Sequence, residues 1–211
     1  MAEKFDFKKE YKDLYLPKTE PALVTVRAMP FLMADGAGDP NTSEAYQEAL
    51  ELLYGFSFTI KMSPKTGKEP PGYFDYVVPP LEGLWWQEGI TGVDYSRKDS
   101  FQWISLIRLP DFVKKPDFDW ALEESAKKKK TDFSSVEFFT YEEGLCVQCM
   151  HLGSYDEEPA TVLAMEQYAK ENGYAIDITD KRHHHEIYLS DPRKTEVSKL
   201  KTVIRHPIRK I

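Results

Sequence analysis

The chain has 211 residues, of which 41 % are hydrophobic and 13 % aromatic, and its 28 basic and 35 acidic side chains give a formal net charge of −7. A chain of this size buries roughly 70 % of its unfolded surface, so the composition excludes disorder over most of its length. There is neither an apolar run near the ~18 residues of a membrane span nor a signal-peptide core at the N-terminus, and the acidic balance argues against nucleic-acid binding. We expect a soluble, cytoplasmic protein that binds small-molecule or cationic ligands.

The first half of the chain is predicted to form an N-terminal arm, residues 1–21, followed by a β-α-β-β unit. Capping side chains at 41–43 begin a helix. Its end has two alternatives: Gly55 stops it, or it continues to about Met62, because Phe56 and Ile60 extend the same apolar stripe. Runs of β-branched and aromatic residues bounded by Pro and Gly predict strands. These strands lie at 22–26, 31–33, 73–78 and 101–107.

The second half repeats this order. Residues 136–141 and 145–152 flank a Glu-Glu-Gly turn and are predicted to pair as a hairpin. A helix follows with Asp156 as its N-cap and Pro159 in its first turn, and strands are predicted at 174–178 and 184–189. The fold class is therefore α+β, with tandem duplicated β-α-β-β units (about 22–110 and 134–192), a helical connector and a ligand cleft at their pseudo-twofold join.

Glu186 is the most informative single residue. Strand alternation places His184, Glu186 and Tyr188 on one face and His183 and His185 on the other. A carboxylate in the middle of such a strand either points outward to solvent or forms the floor of a pocket. In a pocket, desolvation is expected to raise its pKa, which suits a general base or a site for cationic ligands.

Three tryptophans in neighbouring segments offer flat surfaces for stacking a planar ligand, although core packing explains them as well. They are Trp85, Trp86 and Trp103, and because Trp85 and Trp86 are adjacent on an extended segment, at most one of them faces a given cavity. The basic tail after Arg193 fits either nucleic-acid contact or packing of its long side chains over apolar residues.

No metal site is expected. Cys146 and Cys149 point to opposite faces of one strand and have no second cysteine pair, so we interpret them as buried apolar side chains. His184 and Glu186 together with His151 are a conceivable ligand set, which we rank below a metal-free site.

Three segments, at 80–86, 153–159 and 184–193, resemble a GyrI-like small-molecule-binding domain, and the resemblance extends over about 22–207. It implies a tandem β-α-β-β fold with a ligand cleft. In multidrug-responsive regulators of this family, an aromatic pocket with a buried glutamate binds lipophilic, often cationic, planar compounds, and Glu186 matches that glutamate. Only about 20 residues precede the first strand here, so we do not expect a direct role as a transcription factor.

The stand-alone branch of the family resembles cyclopropanoid cyclopropyl hydrolases, which detoxify DNA-alkylating cyclopropanes by opening the ring without a cofactor. The resemblance implies Glu186 as general base, with Tyr188 or Tyr155 donating a hydrogen bond to the developing phenolate. The implied ligand-binding residues are Trp85 or Trp86, Trp103 and His184. The alternatives are a non-catalytic, multidrug-binding protein that sequesters its ligands and a modulator of a partner protein such as gyrase. We expect a monomer.

Overall fold

Helices packed on a nine-stranded antiparallel sheet make up residues 4–211, the part of the chain that the computed structural model describes. The helices are α1 (Phe7–Glu10), α2 (Lys12–Tyr15), α3 (Glu44–Lys61), α4 (Lys115–Lys129) and α5 (Glu158–Glu171). The strands are β1 (Ala22–Val26), β2 (Met29–Ala37), β3 (Leu81–Trp86), β4 (Gln102–Arg108), β5 (Glu137–Tyr141), β6 (Gly144–Leu152), β7 (Tyr174–Ile176), β8 (His184–Tyr188) and β9 (Lys201–Lys210). The predicted α+β class is confirmed. The first three residues of the predicted arm lie outside the described residues.

The two halves of the sheet mirror each other. Counted outward from the centre, β3, β4 and β2 in one half take the same places as β8, β9 and β6 in the other. The sheet runs β1-β6-β9-β8-β3-β4-β2-β5, with β7 added on β9. β3 and β8 meet at the centre, and outward from them lie β4 and β2 on one side and β9 and β6 on the other. The division into two repeats stays a prediction, and this mirrored order places β9, which follows residue 192, in the second unit.

Two predicted strand features are wrong. β5 and β6 do not form a hairpin, because β5 pairs with β2 while β6 pairs with β1 and β9. Residues 22–26 pair with 144–148, and residues 29–33 pair with 137–141. Residues 73–78 form no strand: Tyr76 makes a single bridge to Phe5 of the arm before Pro79 and Pro80 end the extended run.

The helices follow their capping signals. The Ser43 side chain accepts from the backbone N–H of Tyr46 at 3.2 Å and begins α3. Of the two predicted ends the later one is correct, because α3 continues past Gly55 to Lys61. Pro159 lies in the first turn of α5, also as predicted. Asp156, however, is not an N-cap, because a short 3₁₀ turn precedes α5 and the Ser154 and Glu157 side chains cap that turn instead. None of the helices in residues 4–211 combines the length and hydrophobicity that a transmembrane helix requires.

A cluster of four charged side chains is buried between the sheet and the N-terminal arm. His185 lies 3.0 Å from Glu82 and 3.1 Å from both carboxylate oxygens of Glu143, and Arg205 of β9 donates to Glu143 at 3.1 Å. Arg205 also donates to the backbone carbonyl of Leu14 at 2.8 Å, which ties the arm to the sheet. We call these four side chains, Glu82, Glu143, His185 and Arg205, the buried charge cluster. Its acids and bases are equal in number, which makes their burial tolerable.

Candidate functional site

A cavity of about 740 Å³ lies between α3 and the end of β8. Its volume is within the ~300–1,000 Å³ that is usual for small-molecule sites. Aromatic side chains from five parts of the chain line it, namely Tyr46, Tyr54, Trp85, Tyr95, Phe101, Tyr155 and Tyr188. Basic side chains, Lys98, Lys129 and Arg193, lie at its edge, while Glu186 is the acidic group contributed by the sheet.

Glu186 is held in place from behind by two histidines. It is 7 % exposed, and its Oε1 lies 2.9 Å from Nε2 of His184. The Nδ1 of His184 lies 2.7 Å from Nε2 of His206, whose pKa is well below its usual value because burial and the neighbouring His184 disfavour its charge. We assign the hydrogen of the neutral His206 to Nε2, so that it donates to Nδ1 of His184. His184 then carries its own hydrogen on Nε2 and donates it to the Glu186 carboxylate.

The pKa of Glu186 is lowered, which corrects the expectation that desolvation would raise it. Burial does push this pKa upward, but the hydrogen bond with His184, followed by the neighbouring Tyr188 hydroxyl, outweighs that effect. Hydrogen bonds to the charged form of a carboxylate favour that form. The cavity therefore contains an ionised, oriented carboxylate surrounded by aromatic rings.

Tyr188 lies beside this carboxylate and is fixed by Trp85. The indole Nε1 of Trp85 donates to the Tyr188 hydroxyl at 2.9 Å, which leaves the hydroxyl proton free to be donated. Burial and the Glu186 charge raise the pKa of Tyr188 well above its usual value, so it remains a donor. Gly83 makes this arrangement possible, because a Cβ atom there would lie 2.5 Å from Trp85 Nε1 and 3.0 Å from the Tyr188 hydroxyl.

Tyr155 stands edge-on to Tyr188, with ring centroids 5.9 Å apart. Burial, and then the charges of Glu186 and Glu158, raise its pKa to about 12, so Tyr155 is also a hydrogen-bond donor at neutral pH. The structure thus brings Glu186, Tyr188, Tyr155 and Trp85 together at one cavity. Their roles stay a prediction.

The family model of the GyrI-like small molecule binding domain matches residues 19–209. The chain belongs to this family. Three solved structures from Listeria innocua resemble this GyrI-like domain, and the match covers 98 % of the chain and 100 % of each of them. One is an uncharacterized conserved protein (47 % identity, TM-score 0.92), and the others are described as hydrolases (45 % identity, TM-score 0.89; 46 % identity, TM-score 0.91). No protein with a curated description matches the chain.

Three of the predicted ligand-binding residues do not line the cavity of the GyrI-like domain. Trp86 lies on the other face of β3, where it stacks on His183 with ring centroids 4.2 Å apart. Trp103 is 1 % exposed and lies behind Tyr46, whose ring stands edge-on against it at 5.1 Å. His184 is fully buried and reaches the cavity only through Glu186. Alternation along the strands explains Trp86, and the cover provided by α3 explains Trp103.

Sequence reasoning missed Glu158 and Tyr95, which lie at the Glu186 site. Glu158, the first residue of α5, is fully buried, and its Oε2 accepts from the Tyr95 hydroxyl at 2.8 Å. Among the residues that the structure describes, Glu158, His184 and Glu186 are grouped closely enough to share a metal ion. His151 is not part of this group, because its ring is bonded to Thr161 and to the Ser154 carbonyl.

The two cysteines are free thiols, both buried on β6, as predicted. Cys149 packs in the apolar cluster beneath α5, whereas Cys146 lies next to Glu143. Burial raises the pKa of Cys149 to about 11. A protonated, buried thiol is not a reactive group.

Proposed function

We propose that this GyrI-like domain binds planar lipophilic compounds and hydrolyses the cyclopropane ring of DNA-alkylating cyclopropanoids, which detoxifies them. The observation that carries the proposal is the Glu186 carboxylate, 2.9 Å from His184, in the wall of an aromatic cavity of about 740 Å³. A sequence identity of 45–46 % to two proteins described as hydrolases supports hydrolytic chemistry. The aromatic rings supply stacking surfaces for a flat molecule.

Glu186 acts in this proposal as the general base. It takes a proton from a water molecule whose oxygen forms a bond to the cyclopropane methylene carbon. The ring carbon–carbon bond breaks, and its electrons move into the dienone, whose oxygen becomes a phenolate and then takes up a proton. The product is the substrate plus one water, and release of ring strain together with aromatisation drives the reaction.

Two hydroxyls are candidates for stabilising the developing phenolate. Tyr188 and Tyr155 both line the cavity and both remain protonated at neutral pH. A donor aimed at developing negative charge is worth more in a cavity that excludes water than in bulk solvent. Trp85 fixes the Tyr188 hydroxyl before substrate binds, so this donor needs no reorganisation during the reaction.

The test follows the mass of a duocarmycin-type cyclopropane incubated with a substoichiometric amount of the protein. We expect a gain of one water per molecule over many turnovers, with a rate that falls ~10²–10⁴-fold in Glu186→Gln. Glu51→Gln is the matched control, because Glu51 is an exposed carboxylate at the edge of the same cavity and should leave the rate unchanged.

The outcomes separate the alternatives. Hydrolysis at the wild-type rate in Glu186→Gln would remove Glu186 from the mechanism. A compound that binds, quenches tryptophan fluorescence and is recovered unchanged after denaturation would leave a protein that sequesters multiple drugs. A protein that neither hydrolyses nor binds the compound but affects DNA supercoiling would be a modulator of a partner protein.

A further inference from the structure

The carboxyl groups of Glu158 and Glu186 form a buried pair with which no lysine or arginine of the described residues makes an ion pair. One carboxylate oxygen of each, together with a His184 ring nitrogen, lie within 4.8 Å of one another. Glu158 is fully buried and Glu186 nearly so. Within residues 4–211 neither has a Lys or Arg ion-pair partner, since Lys98 at the nearby edge of the cavity is paired with Asp156. Two carboxylates within this distance in a medium of low polarity oppose each other's ionisation, so the pKa of one of them is raised.

The hydrogen-bond partners favour Glu186 as the ionised member of the pair. Glu186 accepts from His184, which favours the charged form of Glu186. Glu158 accepts from Tyr95 through Oε2, while its Oε1 is buried and has no partner in the described part of the chain. An unpaired buried carboxylate oxygen is costly, whereas a protonated one can donate to the neighbouring carboxylate. Burial and the Glu186 charge accordingly raise the pKa of Glu158, although its position at the start of α5 favours the anion.

We infer that Glu158 is a neutral carboxylic acid in the working state of the site and shares its proton with Glu186, so that the two form one acid–base dyad. The inference rests on the proposed function, within which Glu158 is a positioning residue: it holds the Glu186 carboxylate and does not itself line the cavity. The surrounding titratable groups are Tyr46 of α3, Tyr95 of the β3–β4 loop, Tyr155 and Asp156 before α5, His184 and Tyr188 of β8, and His206 of β9.

A divalent cation is the other species that could neutralise the pair. The contacts of His184 favour the proton, because its Nε2 lies at hydrogen-bond distance, 2.9 Å, from the Glu186 carboxylate, and a nitrogen that donates there has no lone pair to offer a metal. Its second nitrogen is already engaged by His206. A proton therefore fits the hydrogen bonds better than a cation does, and the experiment distinguishes the two.

The first experiment uses no substrate, so its result is independent of the proposed hydrolysis. The infrared spectrum of the wild-type protein at neutral pH should contain the C=O stretching band of a protonated carboxylic acid, and that band should be lost in Glu158→Gln. Glu51→Gln should keep the band. A spectrum that Glu158→Gln leaves unchanged would overturn the inference. So would a stoichiometric divalent ion, detected by elemental analysis, that the wild type binds and the variant does not.

A second variant covers the case in which Glu158→Gln does not fold. Tyr95→Phe keeps the Glu158 carboxyl but removes the hydroxyl that donates to its Oε2. The band should persist and move to higher frequency, because hydrogen bonding weakens a carbonyl stretch. A band that does not move in Tyr95→Phe would show that it belongs to another carboxyl and would overturn the assignment.

The pH profile of hydrolysis tests the dyad in the working site. The wild-type rate should fall on both sides of an optimum, since protonation of Glu186 removes the base and deprotonation of Glu158 creates two adjacent anions. The two apparent pKa values belong to the pair. Glu158→Gln should lose the alkaline limb and keep the acid limb, because Gln is neutral at every pH. A uniform loss of rate with an unchanged profile would mean a purely structural role for Glu158 and would overturn the inference.

Discussion

His185 in the buried charge cluster should make the stability of this domain fall as the pH rises through the neutral and mildly alkaline range. Burial alone would lower its pKa, but the carboxylates of Glu143 and Glu82 outweigh burial and raise the pKa from 6.5 to about 9. A group whose folded pKa is raised contributes stability below the unfolded pKa, and that stability is lost as the pH rises through the folded pKa. At ~1.4 kcal/mol per pH unit, this difference corresponds to about 3 kcal/mol.

The assay is urea unfolding of the wild type and of His185→Gln at a series of pH values from about 6 to about 10. Gln cannot bind the proton, so the variant should lack the His185 contribution, and the stability difference between the two proteins should shrink by about 3 kcal/mol over this range. Tyrosines and cysteines that titrate at high pH are common to both proteins and cancel in the difference.

His183→Gln is the matched control for this prediction. His183 precedes His185 by two residues and lies on the same face of the chain. Burial lowers its pKa, so His183 does not contribute a stability that is lost as the pH rises. The control should keep the wild-type decline above about pH 7. Parallel stability curves for the wild type and His185→Gln would refute the reasoning, because they would show that His185 binds no extra proton in the folded state.

The other predictions concern the cavity and the acid side of the same cluster. Gly83→Ala should cost about 1–3 kcal/mol and weaken binding of planar ligands, measured by urea unfolding and tryptophan quenching, because its Cβ would meet Trp85 Nε1 at 2.5 Å. Unchanged stability and affinity would contradict it. Tyr188→Phe should lower the rate of hydrolysis ~10²-fold while ligand affinity changes little, and an unaltered rate would leave Tyr155 as the phenolate donor. Although burial opposes ionisation, His185 and Arg205 lower the pKa of Glu143 from 4.5 to about 2, so its stabilisation is present above about pH 4.5 and is lost below that. The wild type should therefore lose about 3 kcal/mol more than Glu143→Gln between about pH 5 and pH 2, and equal losses would contradict this.

Local sequence signals predicted the elements whose structure depends on neighbouring residues. The stripe of α3 continues past Gly55, because Phe56 and Ile60 stay on its buried side. Alternation along β8 is also confirmed, since His184 contacts Glu186 on one face while His185 contacts Glu82 and Glu143 on the other. Periodicity needs only the chain itself, so these features were within reach of the sequence.

Features that depend on residues distant in the sequence could not be predicted from local signals. β9 was read as a basic tail, yet it lies in the middle of the sheet and buries Arg205 against Glu143, a partner 62 residues away. The hairpin of β5 and β6 was wrong for the same reason, because the strand that completes each ladder comes from the first half of the chain. No local pattern specifies such a partner.

Glu158 was missed because it follows two other acidic residues at the start of a helix, where acidic side chains are usual. Asp156 and Glu157 are exposed and take part in ordinary surface interactions, an ion pair to Lys98 and a cap on Ser154. The third acid of the run points inward instead. The run of acids gives no signal for this difference, which arises from the packing of α5 on the sheet.

Strand β8 places a titratable side chain on each face of the sheet, His185 on one and Glu186 on the other, and the neighbours that balance their charges differ. On the arm side, His185 meets two carboxylates and Arg205 supplies a full positive charge, so the cluster is balanced and contributes to stability. On the cavity side, Glu186 has only a histidine behind it and a second carboxyl beside it. Because no arginine or lysine from residues 4–211 balances that side, the proton distribution there is free to respond to a ligand or a reacting water. The same alternation that stabilises the fold on one face thus leaves a titratable group available for chemistry on the other.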